Sequence, residues 1–299
     1  MTSRTQPLLA ALATVLLWAF AFPASKAALP YFSAEQMVLL RYLVACGFYL
    51  ALFAAGRFAW PQPRDWPPIF ILGALGVTVY QLLFVHGIGR VTAGAAAMLI
   101  AANPVFAGLL ARAFLRETLS PLAWCGIAVS LAGVALIAAE KDIAGEWSGA
   151  ILLILATLSI SVYFVFQKPF FSRYSPLSMT AWTSFAGTLP LLVYLPAAAD
   201  AALQAPAAAL WSVVAMGVFS SGIGFVLWLY ALSKLPAGTV TSFLFLQPVF
   251  VTVMAWLWLR EIPTAQAFAG GAVILFGVAL ILMPGKRGAG GGRRVDDPR

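Results

Sequence analysis

The chain has 299 residues, of which 62% are apolar and 9% charged, with a formal net charge of +8 and a mean hydropathy of +0.94. An average soluble domain is about a quarter charged and just under half apolar, so this chain cannot clothe a globule in polar side chains. A soluble enzyme, a disordered chain and a secreted disulfide scaffold are excluded at this level.

The basic residues sit singly at the ends of apolar runs rather than in a stripe that could follow a phosphate backbone, which argues against a nucleic-acid partner. They read instead as charges that hold loops on the cytoplasmic side. Cys46 and Cys125 lie inside apolar runs without metal-type spacing and read as small buried hydrophobes. The stretch from Arg4 to Trp18 could open a signal peptide, but nine comparable runs follow, so it is read as a first span.

In chain order the apolar runs fall at about 8–29, 35–55, 69–88, 93–115, 121–139, 148–171, 176–196, 208–233, 237–259 and 263–283. They are too long and continuous for barrel strands, which would alternate with period two, and a helix satisfies its own backbone in lipid. At about 20 residues per crossing, ten spans use roughly 200 residues. The expected fold is an all-α integral membrane protein of ten transmembrane helices. Short loops that would be cytoplasmic carry about three times as many Lys and Arg as the others if the N terminus is inside. Both termini are therefore predicted cytoplasmic, with 285–299, rich in Gly and Arg, as a disordered cytoplasmic tail.

Shifting the chain by 144 lays residues 86–137 over 230–281 with 19 of 52 positions identical. Asn103-Pro104 meets Gln247-Pro248, Arg116-Glu117 meets Arg260-Glu261, and Gly133 opens a Gly-Val-Ala-Leu-Ile run that recurs at Gly277. A shift of 142 lays Lys26–Met37 over Lys168–Met179 more weakly. Five spans per half is an odd number, so the halves, 1–143 and 144–284, are expected as inverted repeats, with the Arg116-Glu117 turn cytoplasmic and Arg260-Glu261 outside. That architecture suits alternating access.

Five-plus-five spans, Asn-Pro and Gln-Pro in the fourth helix of each half, and Leu-Arg-Glu helix ends resemble the EamA-type branch of the drug/metabolite transporter superfamily. Trp18, Tyr80-Gln81 and His86 resemble, more narrowly, the YddG aromatic amino acid exporters. The resemblance implies export of metabolites across a bacterial inner membrane by alternating access, with the fifth and tenth helices set apart from the transport basket.

Asn103 and Gln247 lie about ten residues into their spans, ~15 Å deep at 1.5 Å per residue. Each following proline frees a carbonyl, at Ile100 and Leu244, which beside a side-chain amide could meet a zwitterion. The alternative is a kink that only shapes packing. Trp18 with Phe22 and Tyr80 with Phe84 are spaced i, i+4; Tyr163 with Gln167 and Phe225 with Trp228 each share a helix face. Aromatic residues with polar tips at that depth need partners, in a wet cavity or in ordinary core packing.

The substrate-binding candidates are Trp18, Phe22, Tyr80, Gln81, His86, Asn103, Tyr163, Gln167, Trp228 and Gln247, grouped between spans 1, 3, 4, 6, 8 and 9. Lys26, Arg41, His86, Arg112 and Lys168 fall within about two turns of span ends, where the longer side chains can snorkel. No Asp or Glu lies deep in a span, which disfavours proton antiport of cationic drugs and favours facilitated or weakly coupled movement. Glycines 126 and 133, repeated at 270 and 277, suggest a packing seam.

The expected activity is export of aromatic and other neutral amino acids, with export of another metabolite or drug as the alternative. A passive channel is disfavoured by the duplicated halves. An intramembrane enzyme is disfavoured because there is one histidine and no in-span acid to build a nucleophile–base or metal site. No cofactor or metal is expected. The partners are a small-molecule substrate and the bilayer, with a homodimer left open beside a monomer.

Overall fold

The computed structural model describes residues 5–54, 58–114, 120–138, 147–234 and 243–282. Along them run α1 (Thr5–Ala28), α2 (Ala34–Ala54), α3 (Pro63–Ile88), α4 (Ala93–Phe114), α5 (Pro121–Ile137), α6 (Trp147–Ser172), α7 (Pro176–Gln204), α8 (Ala207–Ala231), α9 (Gln247–Leu259) and α10 (Ala265–Ile281). Seven of these are long and apolar enough to cross a membrane; α5, α9 and α10 are shorter apolar helices. The described residues contain no strand. The helix α3 starts before its apolar run and α7 continues past 196 to Gln204. The Arg116-Glu117 turn, the junction at 143/144 and the tail 285–299 lie outside the described residues.

Ser and Thr open the helices, because a side-chain oxygen there accepts from an otherwise orphaned backbone N–H. Thr92 accepts from Ala95 N at 3.2 Å, Ser120 from Ala123 N at 3.1 Å, Ser175 from Ser178 N at 3.1 Å and Thr264 from Ala267 N at 3.1 Å. Ser33 and Gln36 bond reciprocally at the start of α2, a capping box. The far end of α9 turns through Arg260, whose φ of 58° is left-handed.

The interior is built on small residues, among them Ala11, Ala19, Ala24, Ala45 and Ala96, which let backbones approach closely. Large apolar side chains such as Ile71, Leu155, Trp211, Leu257 and Phe276 face outward, an apolar coat that suits lipid rather than water. Cys46 is buried, but Cys125, expected inside, is exposed on α5.

The glycines of α5 and α10 meet in a seam. A Cβ on Gly126 would strike the Gly277 carbonyl, one on Gly133 would reach 2.7 Å from Gly270 O, and between them Ser130 Oγ donates to Ile274 O at 3.2 Å. Residue numbers rise on one helix as they fall on the other, so the pair runs antiparallel. Each glycine packs on the copy of the other.

Two sets of polar contacts tie helix ends together. At one end Lys26 Nζ bonds Glu261 and donates to Val91 O at 2.8 Å, while Glu261 also accepts from Ala93 N at 3.0 Å. At the other, buried Asp65 accepts from Tyr174 OH at 2.6 Å and pairs with Arg173 at 3.1 Å. The first set joins the end of α1, the start of α4 and the α9–α10 turn; the second joins the start of α3 to the α6–α7 turn.

Candidate functional site

Four interruptions in the helices converge on one region. Pro104 has no N–H to donate, and α4 is broken at 101–102 into Ala93–Ile100 and Asn103–Phe114. Ahead of Pro248 a tighter turn, Phe243–Leu246, leads into α9. In α3 and α8 the helix widens to π geometry over Ala74–Val79 and Met216–Ile223. Widened turns of this kind are frequent at functional sites because they re-aim the side chains that follow.

Between these interruptions lies a cavity of about 120 Å³. That is several times the roughly 10–15 Å³ that one water needs. Trp18 and Phe22 of α1, Tyr80, Gln81 and Phe84 of α3, Asn103 and Pro104 of α4, Ile160 and Phe164 of α6, Ser220 and Phe225 of α8, and Gln247 of α9 line it. Ile100 and Leu244, whose carbonyls the prolines release, line it too, and so does Arg41 of α2. No described residue of α5, α7 or α10 does.

The wall is mostly apolar, with six aromatic side chains in it. Phe22 meets Phe84 edge-on at 5.0 Å, and Trp18 lies 5.2 Å from Phe225. Trp18 Nε1 donates to Ser220 O at 3.1 Å, a contact that glycine permits, since a Cβ on Gly224 would sit 2.9 Å from that nitrogen. Asn103 Nδ2 donates to Ser161 Oγ at 2.8 Å, which leaves the amide oxygen of Asn103 without a partner among the described residues. The Gln247 amide likewise makes no hydrogen bond among them.

Six of the ten predicted residues therefore come together here: Trp18, Phe22, Tyr80, Gln81, Asn103 and Gln247. The other four do not line the cavity. His86 is one turn beyond, exposed, and 3.0 Å from Glu35. Tyr163 is buried with its hydroxyl 3.1 Å from Thr183 and its ring against Gly76. Gln167 ends the α-helical part of α6, buried, with Oε1 unpartnered among the described residues. Trp228 backs onto Trp18 at 5.1 Å, one layer out. A shared helix face with a cavity residue does not bring a side chain into the cavity when a neighbouring helix covers it.

Arg41 corrects the expectation of snorkelling. It lies seven residues into α2, about 10 Å along the axis, and is only 6% exposed. Its Nε donates to Ser221 Oγ at 2.8 Å, one terminal nitrogen to Gln81 Oε1 at 3.3 Å and the other to Ser220 Oγ at 3.2 Å. Hydropathy alone measured its distance from the span end, and the serines it bonds are 179 and 180 positions away. Phe164 and Ile160 were also missed, although an offset of 142 carries Phe22 and Trp18 onto them. At 144, Gln81 falls on Phe225, Ile100 on Leu244 and Asn103 on Gln247. All five pairs line the cavity.

The model of the EamA-like transporter family matches the chain twice, over residues 5–139 and 147–283. The chain belongs to the EamA-like transporter family. It is 34% identical over 263 residues to the uncharacterized transporter YdfC of Bacillus subtilis, covering 88% of this chain and 86% of that one. It is 39% identical over 270 residues to a probable terminal-alkyne amino-acid exporter of Streptantibioticus cattleyicolor, covering 90% of each. A crystal structure at 19% identity superposes with a TM-score of 0.64 over 97% of this chain and all of that one, a likeness of fold. This EamA-type chain is thus a multi-pass membrane transporter.

Proposed function

We propose that this transporter exports neutral amino acids, aromatic ones among them, by alternating access in a bacterial inner membrane. Ten spans form two inverted five-helix units, 1–143 and 144–284, with both termini and the 285–299 tail cytoplasmic. The observation that carries this reading is the pairing across the cavity. Equivalent residues of the two family matches face one central space at the helix breaks, which is where a site must sit if two related halves are to expose it in turn. The antiparallel α5–α10 seam supports the inversion, and the amino-acid exporter among the relatives supports the cargo.

In this reading Trp18, Phe22 and Tyr80 form the side-chain pocket with Phe84 and Phe164, and Asn103, Gln247 and Gln81 supply hydrogen bonds. Trp228 and Tyr163 support that wall from behind, His86 lies at the rim, and Gln167 lies apart from it. Lys26–Glu261 closes one end. Movement is uncoupled from protons or weakly coupled.

The test is counterflow in liposomes holding the purified chain, with labelled neutral amino acids. Saturable exchange without an imposed pH gradient, cut strongly by Trp18→Ala and Gln247→Ala in folded protein, is expected. Unchanged exchange in both variants overturns the site, and exchange that requires the gradient overturns the weak coupling. Cysteines introduced at 116 and 260 should label from opposite faces; labelling from one face overturns the inversion.

A further inference from the structure

Arg41 is a buried cation whose hydrogen bonds among the described residues all go to neutral groups. Its acceptors are two serine hydroxyls and an amide oxygen, and no carboxylate among the described residues pairs with it. The other ionisable groups close by are phenols: the Tyr42 ring centre is 5.9 Å from the guanidinium carbon, and Tyr80 shares the cavity wall. A charge placed inside a span costs about 2.5–3.5 kcal/mol on insertion scales, and charges kept there at such a cost are ordinarily paired.

Resting on the site proposed above, we infer that Arg41 receives the carboxylate of the cargo, so that the transporter selects apolar or aromatic molecules carrying that acidic group. A guanidinium has five N–H donors in a planar fork that matches a carboxylate. Three are engaged, which leaves two. The engaged ones hold the fork rigid, and their partners are held in turn: Gln81 Nε2 donates to Tyr42 OH at 3.1 Å, and Tyr49 OH donates to Ser221 O at 2.6 Å. Preorganised donors of this kind lose little freedom when an acid arrives. Aromatic and aliphatic side chains cover most of the rest of the wall, suited to an apolar body.

The arrangement also ranks the two charges of an amino acid. The carboxylate meets a full positive charge, whereas the ammonium meets only neutral acceptors such as the free amide oxygen of Asn103. Removing the acid from a ligand should therefore harm binding more than removing the amine.

Thermal stabilisation of the full chain in detergent measures this with four probes: phenylalanine, phenylalanine amide, 3-phenylpropionate and 3-phenylpropanamide. Both acids are expected to bind at least about tenfold more tightly than the matching amides, the scale of a hydrogen bond to a charged group. Arg41→Gln should abolish that preference and Arg41→Lys keep part of it. Amides that match the acids in the wild-type chain, or no binding by either class, overturn the inference without needing a variant to fold. So does an acid preference that survives Arg41→Gln. Counterflow separates this from the broader reading. Phenylalanine exchange that depends on Trp18 and Gln247 but is blocked equally by amide and acid sinks Arg41 alone. Arg41-dependent acid binding without amino acid exchange sinks the proposed cargo alone.

Discussion

Where α2 crosses α8, Gly217 lets the α8 backbone approach so closely that an added Cβ would lie 2.6 Å from the Arg41 carbonyl. Where α7 crosses α3, Gly73 does the same against the Thr183 carbonyl, at 2.5 Å. An offset of 144 carries Gly73 to Gly217 and one of 142 carries Arg41 to Thr183, so the two crossings are equivalent, each beside a π turn. Their side chains differ. In the first, Arg41 bonds Ser220; in the second, Gly76, the equivalent of Ser220, makes room for the ring of Tyr163, which reaches Thr183. One backbone plan thus yields a charged polar pocket on one side and an aromatic plug on the other. Duplication supplies a paired scaffold, and a one-sided change of side chains gives the cavity its polarity.

The strongest way to break this comparison is to fill both glycines. Gly217→Ala and Gly73→Ala each drive a methyl into backbone atoms and should destabilise the chain by about 1–3 kcal/mol, the usual range for overpacking, read from thermal unfolding in detergent. Only Gly217→Ala also displaces Arg41, so in the protein that remains folded only it should weaken the preference for acids over amides. An equal loss of preference in both variants would show that the difference between the crossings does not reside in Arg41.

The membrane class, the helix spacing and the paired Asn103 and Gln247 were legible because hydropathy and internal likeness are local properties of a sequence. The offset of 142 also pairs Ile160 and Phe164 with Trp18 and Phe22, a signal that the candidate residues did not draw on. Arg41 was not legible as a cavity residue, since distance from a span end says nothing about which neighbour covers a helix face. Tyr163 lies off the cavity for a related reason: Thr183 and Gly76 from two other helices hold its side chain. The π turns had no sequence signature beyond glycines, which read equally well as close packing, and the turn around 116 lies outside the described residues.

A smaller effect sharpens the second crossing. Tyr163→Phe and Thr183→Val each remove the 3.1 Å hydroxyl contact from a buried site that lines no cavity. Side-chain hydrogen bonds between helices in a membrane average about 0.6 kcal/mol. Both variants should therefore lower the thermal midpoint slightly while leaving counterflow and the acid preference at wild-type values. A change in substrate preference in Tyr163→Phe would place the plug in the pathway and remove the asymmetry between the crossings.

The smallest expected effect belongs to His86, which separates a residue near the cavity from those that line it. It lies on α3 five positions after Gln81, yet its side chain is 45% exposed and faces Glu35 across 3.0 Å. Exposed pairs of this kind contribute about 0–1 kcal/mol, and His86 does not line the cavity that Arg41 faces. His86→Gln should shift stability by less than about 0.5 kcal/mol, as surface substitutions do, with counterflow unchanged. If acid binding instead weakened as in Arg41→Gln, the positive field of the site would have to be spread over the α3 end, and the contrast of Arg41 with Thr183 would no longer account for it.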